Sequence, residues 1–204
     1  MANFHLNSKK YIDSLTFADN EVIVEIGSER GEGSTAWFDN IAKERNVDFY
    51  SVDVSTYAQQ HLQYLQHTNF IVTNSGSTWA HNDLPKLDKK IKVLYLDNYD
   101  WLHTTSNHND NEIAMIAAYR LRGVTMSNLN CQQEHLMQMI GCLPYMATNS
   151  IIICDDTPFQ EHSGVYIGKN GAVVPYLLNY GYDVAFGRSP TTTCKEDNGI
   201  ILVR

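Results

Sequence analysis

The sequence predicts an α/β domain built on a doubly wound, mainly parallel sheet of seven strands. Two observations support this prediction. Apolar runs of strand length recur along the chain, and each is followed by a stretch with helical spacing, as in strands joined by crossover helices. The first run is also nearly continuous rather than alternating, which is typical of a strand covered on both faces.

The predicted strands are separated by intervals that mostly leave room for a helix. They comprise residues 21–26, 48–53, 70–73, 92–97, 150–155, 182–186 and 199–203. Most of them end in polar residues, where a parallel sheet places its ligand site. The last one is a terminal strand that can pair antiparallel with its predecessor.

Apolar residues at helical spacing predict the intervening helices. They comprise residues 33–45, 58–66, 80–89, 112–121, 130–146 and 171–180, the first beginning at Gly33 or Ser34. Gly123 follows the helix at 112–121 and is a typical stop signal. Residues 98–127 otherwise break the pattern with a polar stretch, so we expect them to form an insertion or lid beside the site.

Length and composition fit one domain that spans residues 1–204. The 23 acidic and 15 basic side chains leave a net charge of −8, which argues against a nucleic-acid partner and favours small molecules or metal cations. No apolar run approaches the roughly 20 residues of a membrane span, and residues 1–15 contain no leader pattern. We therefore expect a cytoplasmic protein without a membrane partner, whose four cysteines are reduced. A homo-oligomer is left open.

A glycine-rich turn follows the first predicted strand. Gly27, Gly31 and Gly33 are spaced G-x-x-x-G-x-G, which is neither the dinucleotide nor the phosphate-loop pattern. Glu29 and Glu32 within the turn would repel a phosphate, so a ligand with a positive charge is favoured. The alternative is a plain strand-to-helix turn in which glycine supplies a positive φ.

Asp53 closes the second predicted strand, 26 positions after Gly27. Its carboxylate can accept hydrogen bonds from the two hydroxyls of a ribose, although an aspartate there is often only a cap. Combined with the acidic glycine turn, it indicates a site for an adenosine with a cationic neighbour. S-adenosylmethionine has this chemistry.

The sequence resembles the class I S-adenosylmethionine-dependent methyltransferases, which have a Rossmann-like fold. The resemblance lies in Glu25-Ile26-Gly27 with the two later glycines, in the segment LYLD at 94–97 and in IIICDDT at 151–157. Within that superfamily it is most similar to the metal-dependent branch of catechol and macrocin-type O-methyltransferases, whose first motif is soon followed by serine, here Ser34. The resemblance implies methyl transfer from S-adenosylmethionine to a hydroxyl oxygen of a small acceptor.

The resemblance also implies roles for individual residues. Glu25 and Gly27 would shape the methionine end of the cofactor site, together with the other turn glycines, while Ser34 would contact the methionine carboxylate and Asp53 the ribose. Ser75 and Ser77 fall where the family lines the adenine. The Ser-Gly-Ser sequence is explained equally well as the start of a helix.

Three carboxylates stand at the ends of the fourth and fifth predicted strands. Asp97, Asp155 and Asp156 would repel one another unless one is protonated or a cation joins them. Oxygen ligands at this density suit Mg²⁺, and the resembled branch binds a divalent cation at these positions. In the alternative interpretation, Asp155 and Asp156 cap the turn before Pro158 and Asp97 contacts the cofactor.

The base that removes the acceptor proton is open. Catechol-type enzymes carry a lysine three residues after the metal-binding aspartate, whereas this chain has Asp100 there. Asp100 would be the base or a further metal contact, and His103 and His162 are alternatives because imidazole titrates near neutral pH. Two other functional classes are kept: a non-catalytic S-adenosylmethionine-binding protein, and a nicotinamide-dependent oxidoreductase, which the two turn glutamates disfavour.

Overall fold

A seven-stranded sheet organises the protein, for which the computed structural model describes residues 4–28, 33–104, 106–190 and 198–204. The strands in chain order are β1 (Glu21–Ile26), β2 (Phe49–Asp53), β3 (Thr68–Val72), β4 (Lys90–Leu96), β5 (Met146–Asp155), β6 (Phe159–Gln160), β7 (Val165–Tyr166), β8 (Asp183–Phe186) and β9 (Gly199–Val203). The short β6 and β7 form a separate hairpin.

The order across the large sheet is β3-β2-β1-β4-β5-β9-β8. The four neighbouring pairs β3–β2, β2–β1, β1–β4 and β4–β5 are parallel. β9 runs antiparallel to both of its neighbours, β5 and β8. The prediction of a mainly parallel seven-stranded sheet with an antiparallel terminal strand is therefore confirmed. The chain passes from β1 outward to β3 and then returns to β4 on the other side of β1, so the strand order reverses between β1 and β4.

Helices cover both faces of the sheet. They are α1 (Lys9–Asp13), α2 (Ser34–Arg45), α3 (Tyr57–His61), α4 (Gly76–Asn82), α5 (Asp110–Leu121), α6 (Asn128–Cys142) and α7 (Val173–Asn179), with 3₁₀ turns at Phe4–Ser8, Leu84–Leu87 and Leu143–Tyr145. None of the described helices is long and apolar enough to cross a bilayer.

Strands β1, β4, β5 and β9 contribute side chains to two separate cores. Val22 and Val24 of β1 point to the side where Trp79, Met139 and Leu177 pack from α4, α6 and α7. Ile23 points to the opposite side, where α1 and α2 pack. Burial of one such side chain stabilises the fold by about 1.5–3 kcal/mol, which explains the continuous apolar run that predicted this strand.

Proline accounts for two differences from the predicted helices. The helix expected at 130–146 ends at Cys142, because Pro144 stands in the 3₁₀ turn that follows, and β5 consequently begins at Met146 rather than at 150. The helix expected at 80–89 is replaced by α4 and a 3₁₀ turn that contains Pro85. The helix expected at 58–66 shrinks to α3.

The three described cysteines, Cys131, Cys142 and Cys154, are free and buried, as expected for core thiols. The fourth, Cys194, lies outside the described residues.

Residues 98–127 do separate β4 from its crossover helix α6, and α5 lies within them. Glu112 is the buried residue of α5, and its carboxylate contacts the preceding loop.

Candidate functional site

The carboxyl ends of β1, β2 and β4 meet at the point where the strand order reverses. Gly27 follows β1 with φ +105°, and its amide donates to the carbonyl of Val52 at 2.8 Å. A Cβ atom on Gly27 would lie 2.3 Å from the backbone nitrogen of Asn98, the residue after the predicted fourth strand. Because no side chain fits there, Gly27 allows the turn to pass directly beneath the end of β4.

The side chain of Glu25 is buried next to this turn. It is fully buried, and its Oε2 accepts hydrogen bonds from the hydroxyls of Thr35 at 2.7 Å and Ser51 at 2.8 Å. The other oxygen, Oε1, is also buried and makes no hydrogen bond in the described part of the chain. Burial raises the pKa of Glu25 to about 7, against hydrogen bonds that favour the charged form.

The glycine turn leads directly into α2. Gly33 is the N-cap residue with φ +73°, and Ser34 is the first helical residue and is half-buried. Gly31, Glu29 and Glu32 lie outside the described residues. The expected cofactor contact of Gly31 and the expected repulsion of a phosphate by the two glutamates stay predictions.

Asp53 shapes two neighbouring loops at the end of β2. Its Oδ2 accepts a hydrogen bond from the amide of Ser28 at 2.8 Å, and its Oδ1 accepts one from the amide of Ser55 at 2.7 Å. The carboxylate therefore acts as a strand-end cap, which was the alternative interpretation. Contact with a ribose stays a prediction, because a carboxylate oxygen can accept more than one hydrogen bond.

The Ser-Gly-Ser sequence begins a helix. Ser75 is the N-cap of α4, and its hydroxyl accepts a hydrogen bond from the amide of Thr78 at 3.0 Å. The hydroxyl of Ser77 donates to Glu134 at 2.7 Å. Both serines thus have partners within the protein, and their expected role at the adenine stays a prediction.

The acids at the ends of β4 and β5 do come together, but around a lysine. The ammonium of Lys169 lies 2.6 Å from Oδ1 of Asp97 and 3.0 Å from Oδ2 of Asp156. The hydroxyl of Tyr95 links the third carboxylate to this pair, since it donates to Asp155 and also lies 3.4 Å from Oδ2 of Asp97.

This arrangement corrects the expectation of Mg²⁺ at Asp97, Asp155 and Asp156. The Lys169 ammonium already stands between two of the three carboxylates and compensates their charge. Among the described residues, no group of three or more His, Cys, Asp or Glu side chains is placed to hold a metal ion. The residues present therefore do not fit a divalent cation at this position.

The turn that carries Lys169 is held firmly against the strand ends. Gly168 has φ +81°, and a Cβ there would lie 1.9 Å from the carbonyl oxygen of Asp156, to which the amide of Lys169 donates at 3.0 Å. Asn170 is buried, and its Nδ2 donates to the carbonyl of Asp155 at 3.0 Å and to that of Leu96 at 3.3 Å. The turn therefore fixes the position of Lys169 on two strands at once.

Burial and neighbouring charge perturb the ionisable groups of this cluster. Burial raises the pKa of Asp155 to about 7, and repulsion from Asp97 adds to the shift. Burial lowers the pKa of Lys169, but attraction to Asp97 and Asp156 outweighs that effect and holds the pKa above its ordinary value. The lysine is accordingly protonated throughout the physiological range.

Lys169 was not among the residues predicted for the site. The signal that could have found it is chemical: three strand-end carboxylates require a positive partner, and a lysine flanked by glycine and asparagine in a tight turn is one candidate. The contact joins residues that are 72 positions apart, so no local pattern contains it.

The three candidate bases form none of the contacts described for the strand-end acids. Asp100 is half-buried, and its amide donates to the hydroxyl of Tyr119 at 2.8 Å. His103 is exposed on the following loop, and His162 is exposed in the turn between β6 and β7. In the part of the chain that the structure describes, none of the three donates a hydrogen bond to the strand-end acids, so a role as base stays a prediction.

The strand order, with its reversal between β1 and β4, defines a Rossmann-like α/β protein. No family model matches the chain. Curated sequences that match part of it include the 1,4-alpha-glucan branching enzyme GlgB of Mycobacterium sp. strains KMS and MCS, each 26% identical over 137 residues. The match covers 65% of this chain. It spans only 16% of the length of those curated relatives.

Solved structures show the same fold at low sequence identity. The putative rRNA-methylase from Clostridium thermocellum has a TM-score of 0.53 and 10% identity, over 100% of this chain and 97% of that one. The rRNA methylase from Streptococcus thermophilus has a TM-score of 0.52 and 12% identity, over 100% and 96%. OxaC in complex with SAH and oxaline has a TM-score of 0.53 and 14% identity, over 100% and 47%. The chain therefore has the Rossmann-like fold that these proteins share.

Proposed function

We propose that the protein is an S-adenosylmethionine-dependent methyltransferase that acts on a hydroxyl oxygen of a small acceptor. The observation that carries the proposal is the turn after β1, where Gly27 passes beneath β4 above the buried carboxylate of Glu25. This turn lies at the strand-order reversal, where open α/β sheets bind their ligands. The fold shared with two rRNA methylases and with OxaC in complex with SAH supports the same cofactor class.

The residues at this edge of the sheet suit a cationic nucleoside. The carboxyl groups of Glu25 and Asp97 lie at the ends of β1 and β4. Glu25 carries part of its negative charge near pH 7, where its pKa lies, and Lys169 compensates the charge of Asp97. A sulfonium is attracted to such charge, whereas a pyrophosphate is repelled. The proposed cofactor contacts, from the resemblance, are Glu25, Gly27, Gly31, Gly33, Ser34, Asp53, Ser75, Ser77 and Asp97.

S-adenosylmethionine supplies a methyl group bonded to a positively charged sulfur, so the protein has little covalent chemistry to perform. Its task is to align the acceptor oxygen in line with the carbon–sulfur bond and to accept the hydroxyl proton as the oxygen–carbon bond forms. We assign the proton to the carboxylate of Asp100, with His103 and His162 as the other candidates. No divalent cation is part of this proposal.

A small acceptor is favoured over RNA, although two structures of the same fold are named rRNA methylases. The net charge of −8 would have to be overcome before the chain could approach a phosphate backbone. His103 and His162 are exposed on their loops, and we propose that these loops line an acceptor site. We propose a monomer or a homo-oligomer without nucleic acid or membrane as partner.

Titration calorimetry with S-adenosylhomocysteine and with NAD, each with and without MgCl₂, tests the cofactor. We expect binding of S-adenosylhomocysteine that Mg²⁺ leaves unchanged, and no binding of NAD. Tighter binding of NAD would establish the oxidoreductase alternative instead. If S-adenosylhomocysteine binds but no methyl group reaches any of a panel of phenols, alcohols and sugars, the protein is the non-catalytic binding protein.

A further inference from the structure

We propose that Asn98 recognises the 6-amino group of the cofactor's purine, and that Gln138 is the positioning residue that fixes the carboxamide of Asn98 for this contact. The inference rests on the proposed S-adenosylmethionine site and deepens it, because it names the group by which the protein distinguishes one base from another.

The amide of Gln138 connects the loop after β4 with the start of α4. Its Nε2 donates to Oδ1 of Asn98 at 2.8 Å and to Oε1 of Glu134 at 3.1 Å. Glu134 in turn accepts from the amide of Ser77 at 2.9 Å and from its hydroxyl at 2.7 Å. A Cβ on Gly76 would lie 2.7 Å from the same Nε2, so this glycine allows the amide to pack against the helix start. One side chain thus joins Asn98 to Ser77, which is predicted to lie at the adenine.

These partners allow a single orientation of the Gln138 amide. Both partner atoms are oxygens that face Nε2, so a reversed amide would set oxygen against oxygen. Gln138 is fully buried, and its Oε1 makes no hydrogen bond with any described residue. An unpaired buried acceptor is unfavourable and rare in native proteins. The orientation of Gln138 is therefore determined by its two acceptors and not by the needs of its own oxygen.

The orientation of Gln138 determines that of Asn98. Because Oδ1 of Asn98 accepts from Gln138, its Nδ2 lies on the other side of the planar carboxamide. None of the hydrogen bonds of the described residues uses this Nδ2. The oxygen also keeps a second lone pair. Asn98 therefore offers a ligand one donor and one acceptor side by side, in a fixed order.

Asn98 lies directly over the turn that the cofactor is proposed to occupy. Its backbone nitrogen would be 2.3 Å from a Cβ on Gly27, and the residue is half-buried. A carboxamide pairs with a 6-aminopurine by accepting from the amino group and donating to the neighbouring ring nitrogen. In a 6-oxopurine an oxygen would face Oδ1 and be repelled. The fixed carboxamide therefore favours adenine over hypoxanthine.

Calorimetric titration with S-adenosylhomocysteine and with S-inosylhomocysteine, which carries the 6-oxopurine, tests this selection. We expect the unchanged protein to bind S-adenosylhomocysteine at least about tenfold more tightly, as one matched bidentate contact allows. In Gln138→Glu the new carboxylate can only accept, so the carboxamide of Asn98 turns round and its Nδ2 faces the 6-position. The preference should then fall below about threefold.

Gln133→Glu is the matched control, because Gln133 is exposed on the same helix and the change adds the same charge. Its preference should equal that of the unchanged protein. Asn98→Leu removes the recognising group and should make the two affinities about equal. This variant decides the question if Gln138→Glu, with a second carboxylate beside Glu134, fails to fold in urea-unfolding controls. A loss of stability alone would weaken both ligands alike and leave their ratio unchanged.

The proposal is overturned if folded Gln138→Glu or Asn98→Leu keeps the preference of the unchanged protein, or if the unchanged protein binds both compounds equally. In these cases S-adenosylhomocysteine still binds, so the proposed function stands and only the recognition by Asn98 fails. If the unchanged protein does not bind S-adenosylhomocysteine at all, the proposed function fails and this inference fails with it.

Discussion

Single side chains at the strand ends determine how the protein responds to pH. Glu25 and Asp155 are both buried acids, and burial raises the pKa of each to about 7. A carboxyl whose pKa is higher in the folded state than in the unfolded chain favours folding when it is protonated. The contribution of these two groups to the free energy of unfolding is therefore complete at a pH below their ordinary pKa, and it is lost as the pH rises through 7.

Glu25→Gln should remove the share of this pH dependence that Glu25 causes. The amide keeps an oxygen that can accept from Thr35 and Ser51, but it never becomes charged. We expect the unfolding free energy of the variant at pH 8 to exceed that of the unchanged protein by up to about 3 kcal/mol, with no gain at pH 4. Urea denaturation across this pH range measures the difference. A slope identical to that of the unchanged protein would contradict the burial of a charged Glu25.

Gly27→Ala should destabilise the turn through both its φ and the contact with Asn98. The left-handed conformation costs an alanine about 1–2 kcal/mol, and the forced displacement of backbone adds about 1–3 kcal/mol. Gly123→Ala is the matched control, because Gly123 also has a positive φ but open space around it. Denaturant unfolding should show a clearly larger loss for Gly27→Ala, and equal losses would argue against the close approach to β4.

Residue patterns in the sequence were sufficient for part of this site and not for the rest. Glu25 and Gly27 could be found because they follow one apolar run within three positions. Lys169 could not, because its role depends on how two distant segments meet at Asp97. The sequence indicates the three acids, and the structure places Lys169 rather than a cation between Asp97 and Asp156.

At the level of elements, the loop between β4 and α5 is organised by one carboxylate. Glu112 is buried and accepts hydrogen bonds from the amides of His103, Thr104 and Asn109. It also accepts from the hydroxyl of Thr104 at 2.7 Å, and this bond above all lowers the pKa of Glu112 to about 2. Asn109 caps the same helix in return, which completes a capping box.

Glu112→Gln should loosen the loop without unfolding the sheet. A neutral amide offers a single acceptor oxygen where the carboxylate offers two, so several donors lose their partner. We expect faster hydrogen exchange at the amides of His103 and Thr104, and unchanged exchange in β1 and β4. Asp110→Asn, an exposed position in the same first helical turn, is the control and should change little. Unaltered exchange in Glu112→Gln would contradict the proposed organisation of the loop.

The same bonds have a pH dependence of opposite sign to that of Glu25. Because the pKa of Glu112 is depressed, its contribution to the free energy of unfolding is complete at a pH above its ordinary pKa and is lost as the pH falls toward 2.

The start of α5 was predicted at 112 rather than 110, since the apolar pattern begins only after the polar cap. The Asn-x-x-Glu spacing at 109–112 is the sequence signal that could have placed the start at 110, and the apolar pattern does not contain it.

At the scale of the whole molecule, β9 is an inner strand of the sheet although it is the last strand in the chain. It pairs with β5 on one side and β8 on the other. Ile200, Ile201 and Leu202 are all fully buried. The sequence predicted the antiparallel direction of β9 and its partner β8, but its second pairing with β5 depends on tertiary packing that no local pattern encodes.

Leu202→Ala should therefore cost far more than the same change at an exposed leucine. A cavity in the core behind β9 is expected to lower the unfolding free energy by about 2–5 kcal/mol. Leu178→Ala on α7, where the side chain is 40% exposed, is the matched control and should lower it by less than about 1 kcal/mol. Thermal and urea unfolding measure both, and similar losses would contradict an inner position for β9.

The interior place of β9 also bears on how the protein is made. During synthesis β5 and β8 emerge before the strand that lies between them, so the open edge of β5 exposes unpaired amides beside Ile151, Ile152 and Ile153 until β9 arrives. Such an edge can recruit strands from neighbouring nascent chains, and the long-range pairing that closes it is intrinsically slow. We therefore expect nascent chains of this protein to aggregate most readily in the interval between the synthesis of β5 and that of β9.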